Sequence, residues 1–267
     1  MSQLFVPVIV ALLLGGETAA PEITDARTTY GHLGALRPKG AGILPGDVAY
    51  VSFTIKNLKA DTNGKVAYSI AIVITDEAGK VLFEQKPLKA SAQHFFGSGS
   101  VPAAATIAVP ADTKPGPFNW KITVVDRTTK KSTELKGTGK VLPPDFGLVQ
   151  IGTFADVEEH APVPPVGVVG SNLYLSFGVI GFARGKDMQP DITVTLKILD
   201  DKGQPTFAKP LTGRVNKDVA ADVRHIPLQF ALTLDRVGRY TLELSAKDEV
   251  SGKTSSVSFP VRILSAE

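Results

Sequence analysis

The chain has no cysteine, one tryptophan, two methionines and four histidines. Without cysteine there are no disulfide staples, thiolate zinc sites or cysteine nucleophiles. The histidines, His32, His94, His160 and His225, show neither His-x-His nor His-Glu-x-x-His spacing, so no zinc-hydrolase motif is present. Lysine and arginine number 29 against 26 aspartates and glutamates, a formal charge of only +3. No basic cluster forms, and nucleic acid is not an expected partner. Helical apolar periodicity is missing beyond the N-terminus, as is any apolar run of the ~20 residues that a membrane-spanning helix needs.

One shorter apolar run is present. "LFVPVIVALLLGG" has about the length of a signal-peptide core, and the small-x-small site Thr18-Ala19-Ala20 follows it. Residues 1–20 are therefore read as an export segment. Only Met-Ser-Gln precedes Leu4, without a basic residue, and cleavage would leave Pro21 first. An uncleaved anchor or a misassigned start fits the same residues. Membrane contact is expected only through this segment, if it stays uncleaved.

Beyond it, alternation dominates, and the alternation is repeated. "GDVAYVSFTI" at residues 46 to 55 returns as "GSNLYLSFGV" at 170 to 179, so that Gly46, Tyr50, Ser52 and Phe53 recur as Gly170, Tyr174, Ser176 and Phe177, 124 residues on. Val51, Phe53 and Ile55 share one parity and Tyr50, Ser52 and Thr54 the other, the pattern of a strand with one buried face. Leu175, Phe177 and Val179 keep the inward parity, with Tyr174 and Ser176 outward, so the registers match.

Tyr68, Ile70, Ile72 and Ile74 lead into Asp76-Glu77-Ala78-Gly79, and Ile192, Val194, Leu196 and Ile198 into Asp200-Asp201-Lys202-Gly203. Asp first and Gly fourth predict a type I turn in each copy. Phe83 and Phe207 are expected to open the return strands. Near the close of each copy Phe118, Trp120, Ile122 and Val124 match Tyr240, Leu242, Leu244 and Ala246 as inward residues, while Asp126 answers Asp248 and Lys131 answers Lys253. Pro260 takes the outward parity of the last strand and predicts an edge there.

Pro143-Pro144 in "VLPPDFG" forms a stiff connection between the copies. The expected organisation is an export segment at 1–20, a first β-sandwich domain at 21–142 and a second at 143–267, with the Pro-rich "HAPVPPVG" between the first and second strands of the latter. The ending "GRYTLELSAKDEVSGKTSSVSFPVRI" resembles the final hairpin of immunoglobulin-like and fibronectin type III-like modules common in exported bacterial proteins. The resemblance implies a tyrosine corner at Tyr240, its hydroxyl bonding back to upstream backbone. Phe118 in the first copy has no hydroxyl for that role. The two-copy layout is similar to exported bacterial proteins with tandem sandwich modules, and these motifs specify a fold without specifying an activity.

Catalytic patterns fail on spacing. "GSGS" at 97 to 100 lacks the nucleophile-elbow arrangement. "GTGKVL" at 137 to 142 lacks the first Gly of a phosphate loop and the Ser or Thr after its Lys. Adjacent residues in Glu158-Glu159-His160 point to opposite faces of an extended chain and are not expected to converge on an ion. "DTNG" at 61 to 64 and Asp200-Asp201 read as turns, not calcium loops. Trp120 is expected in the core and not as a carbohydrate platform.

Four residues remain as candidate partner contacts. Tyr50 and Tyr174 face outward in both copies, so core packing does not account for their recurrence; a cross-strand aromatic cover is the alternative. Phe95 and Phe96 lie in a Gly/Ser-flanked segment, where a loop folded under the sheet is expected and an exposed pair would indicate a contact. Together these readings predict an all-β, non-catalytic exported module of two tandem immunoglobulin-like sandwiches. No cofactor is expected. Its partner would be an unknown protein or envelope component, with carbohydrate or another small ligand as the alternative.

Overall fold

A computed structural model describes residues 19–267. All but the last two residues of the expected export segment lie outside the described residues. Every regular element described is a strand. The first half builds a three-stranded sheet, order β1-β2-β5, from β1 (Glu22–Thr29), β2 (Val48–Lys56) and β5 (Ser100–Ala108). Facing it is a four-stranded sheet, order β4-β3-β6-β7, from β3 (Lys65–Thr75), β4 (Val81–Gln93), β6 (Gly116–Asp126) and β7 (Ser132–Val141).

The second half repeats the plan. One sheet has the order β13-β10-β8, from β8 (Gly147–Phe154), β10 (Asn172–Ile180) and β13 (His225–Thr233). The other has the order β12-β11-β14-β15-β9, from β9 (Val166–Val168), β11 (Ile192–Leu199), β12 (Leu211–Val215), β14 (Gly238–Asp248) and β15 (Thr254–Leu264).

Alternation explains the packing. Val51, Phe53 and Ile55 meet Ile72, Ile74, Ile122 and Val124 in one buried cluster. Leu175, Phe177 and Val179 meet Ile192, Val194, Leu196, Leu242 and Leu244 in another. The chain is thus an all-β sandwich fold. Ala35 and Tyr30, from the β1–β2 connection, pack with the second cluster and not the first.

The repeated glycines have a conformational cause. Gly46 and Gly170 adopt φ of +93° and +90°, where any Cβ is strained. Both Asp-to-Gly turns form as expected, with Gly79 N–H donating to the Asp76 carbonyl and Gly203 N–H to that of Asp200. The Tyr240 hydroxyl donates to the Arg236 carbonyl at 3.1 Å, completing the corner.

Several expectations need correction. Ser52 and Ser176 do not face solvent: both are buried, because Thr29 covers the first through a 3.1 Å hydroxyl contact and Gln229 reaches the second at 2.9 Å. Trp120 keeps its inward parity but is only half-buried at the margin of the core, its ring lying over Gly137. The last strand is not a free edge along its whole length, since β9 pairs in parallel with Arg262–Leu264. Phe207 opens no strand; it sits in an irregular segment between Pro205 and Pro210, and β12 starts at Leu211.

Candidate functional site

Tyr50 projects from β2 into a cleft of about 330 Å³ where the two halves meet, lined also by Tyr30, His32, Gln150, Phe154 and Glu159. The His32 and Tyr50 rings make an edge contact with centroids 6.1 Å apart. Burial pushes the Tyr50 phenol above its ordinary pKa, and the Asp47 carboxylate adds to the effect. Burial likewise raises Tyr30; Arg37 opposes that rise and Asp47 supports it. Both phenols therefore stay neutral hydrogen-bonding groups across the physiological range.

Beside the cleft lies a charged pair that no motif or spacing in the sequence marked. Arg37 donates to the Asp47 carboxylate at 2.7 Å, and both side chains are almost fully enclosed, at 4% and 5% exposure. Arg37 also donates to the Thr29 and Val48 carbonyls and stacks on Tyr30, 4.5 Å from the ring centroid. The second oxygen of Asp47 accepts the N–H groups of Val48 and Gln150, both at 2.7 Å. Gln150 returns its side-chain amide to the Gly46 carbonyl at 2.9 Å. Asp47 thus belongs to β2's entry turn and fastens β8 to it. Little in the sequence marked it: the second copy carries Ser171 where the first carries Asp47, one of six differences across the ten paired positions 46–55 and 170–179.

Tyr174 is half-buried in β10, opposite Phe154 of β8 and Ala231 of β13. Phe154 lines the cleft that Tyr50 enters, so the two repeated tyrosines flank one strand from different sides. On their outward parity both are partly covered by protein.

Phe95 and Phe96 behave differently. They occupy a turn between β4 and β5, closed by the Gly97 N–H donating to the His94 carbonyl, and are 79% and 99% exposed. A loop folded under the sheet was expected; positive φ at Gly97 and Gly99 instead turns the chain outward. The neighbouring edge strand β4 adds Val81, Leu82, Phe83 and Leu88 as exposed apolar residues. That strand is blunted by Pro87 and the flanking Lys86 and Lys89, the usual protection of an open edge.

Residues 156 to 160 also depart from expectation. Because this segment turns instead of running extended, alternate residues converge, and donor atoms of Asp156, Glu158 and His160 lie within 4.8 Å of one another. Both Asp156 oxygens already accept backbone N–H groups, from His160 and Ala161. The group is accounted for as a turn.

Fold and site together define an all-β chain whose Phe95-Phe96 pair and charged junction lie on strand-connecting turns. No family model and no curated protein matches it. Among solved structures it is similar to dimeric latent PorU from Porphyromonas gingivalis, at 10% identity and a TM-score of 0.38, over 96% of this chain and 21% of that one. It is also similar to red sea bream transglutaminase, at 11% and 0.28, over 90% of this chain and 31% of that one. A third likeness is to the C-terminal domain of the antigen I/II-family protein AspA of Streptococcus pyogenes, at 10% and 0.29, over 92% and 100%. The chain therefore spans 21% of PorU and 31% of the transglutaminase. Superpositions this loose carry no argument about activity.

Proposed function

We propose that this chain is a non-catalytic structural or protein-interaction module of the cell envelope, exported and built as two tandem immunoglobulin-like sandwiches. The observation that carries the reading is the exposed Phe95-Phe96 turn, since two adjacent uncovered aromatics are costly in water and are retained mainly at contact surfaces. The carboxylates whose pKa is shifted offer no candidate general acid. Asp126, Asp145, Asp156, Asp191, Asp248, Glu134 and Glu249 are all held below their ordinary pKa by N–H or cationic neighbours. A general acid needs the opposite shift.

The test is recovery of partners from the native envelope with wild-type chain and with Phe95→Ser/Phe96→Ser, Tyr50→Ala and Tyr174→Ala variants. Loss of a partner from the Phe variant is expected, with retention by Tyr174→Ala. Equal recovery by wild type and the Phe variant would remove the contact. N-terminal sequencing of the same material tests export: an intact Met1 in a cytoplasmic fraction would refute it.

A further inference from the structure

The cleft at the junction of the halves gathers Tyr30, His32, Tyr50 and Phe154 around about 330 Å³, in a chain with only five tyrosines and four histidines. Two glycines let its walls close on one another. A Cβ on Gly31 would stand 3.1 Å from the Gly152 Cα, and one on Gly152 would stand 2.8 Å from the Phe154 ring. The volume lies at the small end of the roughly 300–1,000 Å³ of ligand sites.

One carboxylate, Glu159, lines this cleft, and neither lysine nor arginine does. The Asp156 turn sets it there. The Asp156 oxygens accept the N–H groups of His160 and Ala161, and Glu158 and His160 gather against Asp156. Glu159, between them at φ +64°, is left on the cleft side. Its carboxylate enters no hydrogen bond or ion pair among the described residues. The nearby cations are matched or stand outside. Arg37, which stacks on Tyr30, is paired with Asp47 at 2.7 Å. Arg27 and Lys39 are exposed and do not line the cleft. Across the ladders from Tyr50 stand Thr29 and Thr106, both neutral. The second wall comes from a stretch with no lysine or arginine between Lys140 and Arg184.

We propose that this cleft binds a small quaternary ammonium group of the choline type, held against the Tyr50, His32 and Phe154 rings with Glu159 as its counter-charge. Aromatic faces attract such cations through the ring quadrupole. The walls also argue against the other charged ligands. An anion would meet Glu159, and a metal ion would need several oxygen ligands where one carboxylate is offered. Of the remaining polar side chains, Thr153 donates to the Val163 carbonyl at 2.6 Å and Gln150 to that of Gly46 at 2.9 Å. A primary ammonium is strongly hydrated, and few free acceptors are left to replace its water. A quaternary nitrogen has no N–H to satisfy and presents an apolar shell that the rings can cover. The Phe95-Phe96 turn takes no part in this site, so the contact reading and this one can fail separately.

Isothermal titration calorimetry of the full chain with choline, carried to millimolar concentration, tests this beside dimethylbutanol, the uncharged carbon isostere, and glucose. Choline should bind saturably at one site, and neither neutral compound should bind. Tyr50→Phe keeps the ring and should leave the affinity within about twofold, whereas Tyr50→Leu should weaken it about two- to thirtyfold. Glu159→Gln, at an exposed position, should weaken it about two- to fivefold with unchanged circular dichroism and melting temperature. Flotation with phosphatidylcholine vesicles that choline competes away assigns the group to a lipid; saturable choline binding without flotation assigns it to a free molecule. Absence of saturable choline binding to wild type, equal binding of either neutral compound, or wild-type affinity in Glu159→Gln overturns the proposal.

Discussion

At the scale of single residues, the repeat conserves two buried carboxylates for a shared backbone task. Asp126 accepts the N–H groups of Lys59 at 2.8 Å and Thr128 at 2.7 Å. Asp248 accepts those of Ala183 at 2.8 Å and Val250 at 3.0 Å. Lys59 and Ala183 stand 124 residues apart, so each Asp ties the end of its second strand to the closing hairpin. Burial by itself would raise both pKa values, but the hydrogen bonds together outweigh it and both are lowered. A carboxylate with a lowered folded pKa stabilises fully above its unfolded value, about 3.9, and that contribution is lost as pH falls through the folded value. Acid unfolding should therefore begin below about pH 4 and be less pH-dependent in Asp126→Asn/Asp248→Asn, as followed by circular dichroism. Asp126→Ala should cost about 1–3 kcal/mol in urea unfolding, for buried N–H donors left without an acceptor.

At the scale of elements, alternation carried most of the information. The inward parities of β2, β3, β6, β10, β11 and β14 were legible because a one-residue slip would expose a whole apolar set. The corner was legible at Tyr240 from its place at the start of the penultimate strand. Tyr240→Phe should cost about 0.5–1.5 kcal/mol, measured by thermal unfolding, since it removes the bond to Arg236 without changing the packing. What could not be read was the fate of outward positions. Ser52 and Ser176 lie on outward parity yet are buried by Thr29 and Gln229, residues distant in sequence. Phe207 has the apolar character of a strand residue, but Pro205 and Pro210 lie on either side of it and β12 starts only at Leu211.

For the whole molecule, the junction between the halves is the feature with the largest consequence. Arg37 and Asp47 are removed from water, a cost offset by their mutual contact, the accepted and donated backbone bonds and the Tyr30 ring. Removing one partner strands the other. Asp47→Ala should cost about 3–5 kcal/mol and also release the N–H groups of Val48 and Gln150. Because Asp47 joins β2 to β8, chemical unfolding of that variant should separate into two transitions, detected by comparing Trp120 fluorescence, a probe of the first half, with circular dichroism. A single coincident transition of unchanged midpoint would contradict the role given to the pair.

The sequence by itself determined the all-β character, the paired registers, the Asp-to-Gly turns and the glycines held at positive φ, because each depends on residues within one strand or one turn. Tertiary structure alone decided which outward residues were covered, that Asp47 would bridge the halves, and that Phe95-Phe96 would stand clear while Phe207 lay outside the strands. Those outcomes depend on desolvation and hydrogen-bond partners supplied by segments up to about a hundred residues away, and no local pattern encodes them.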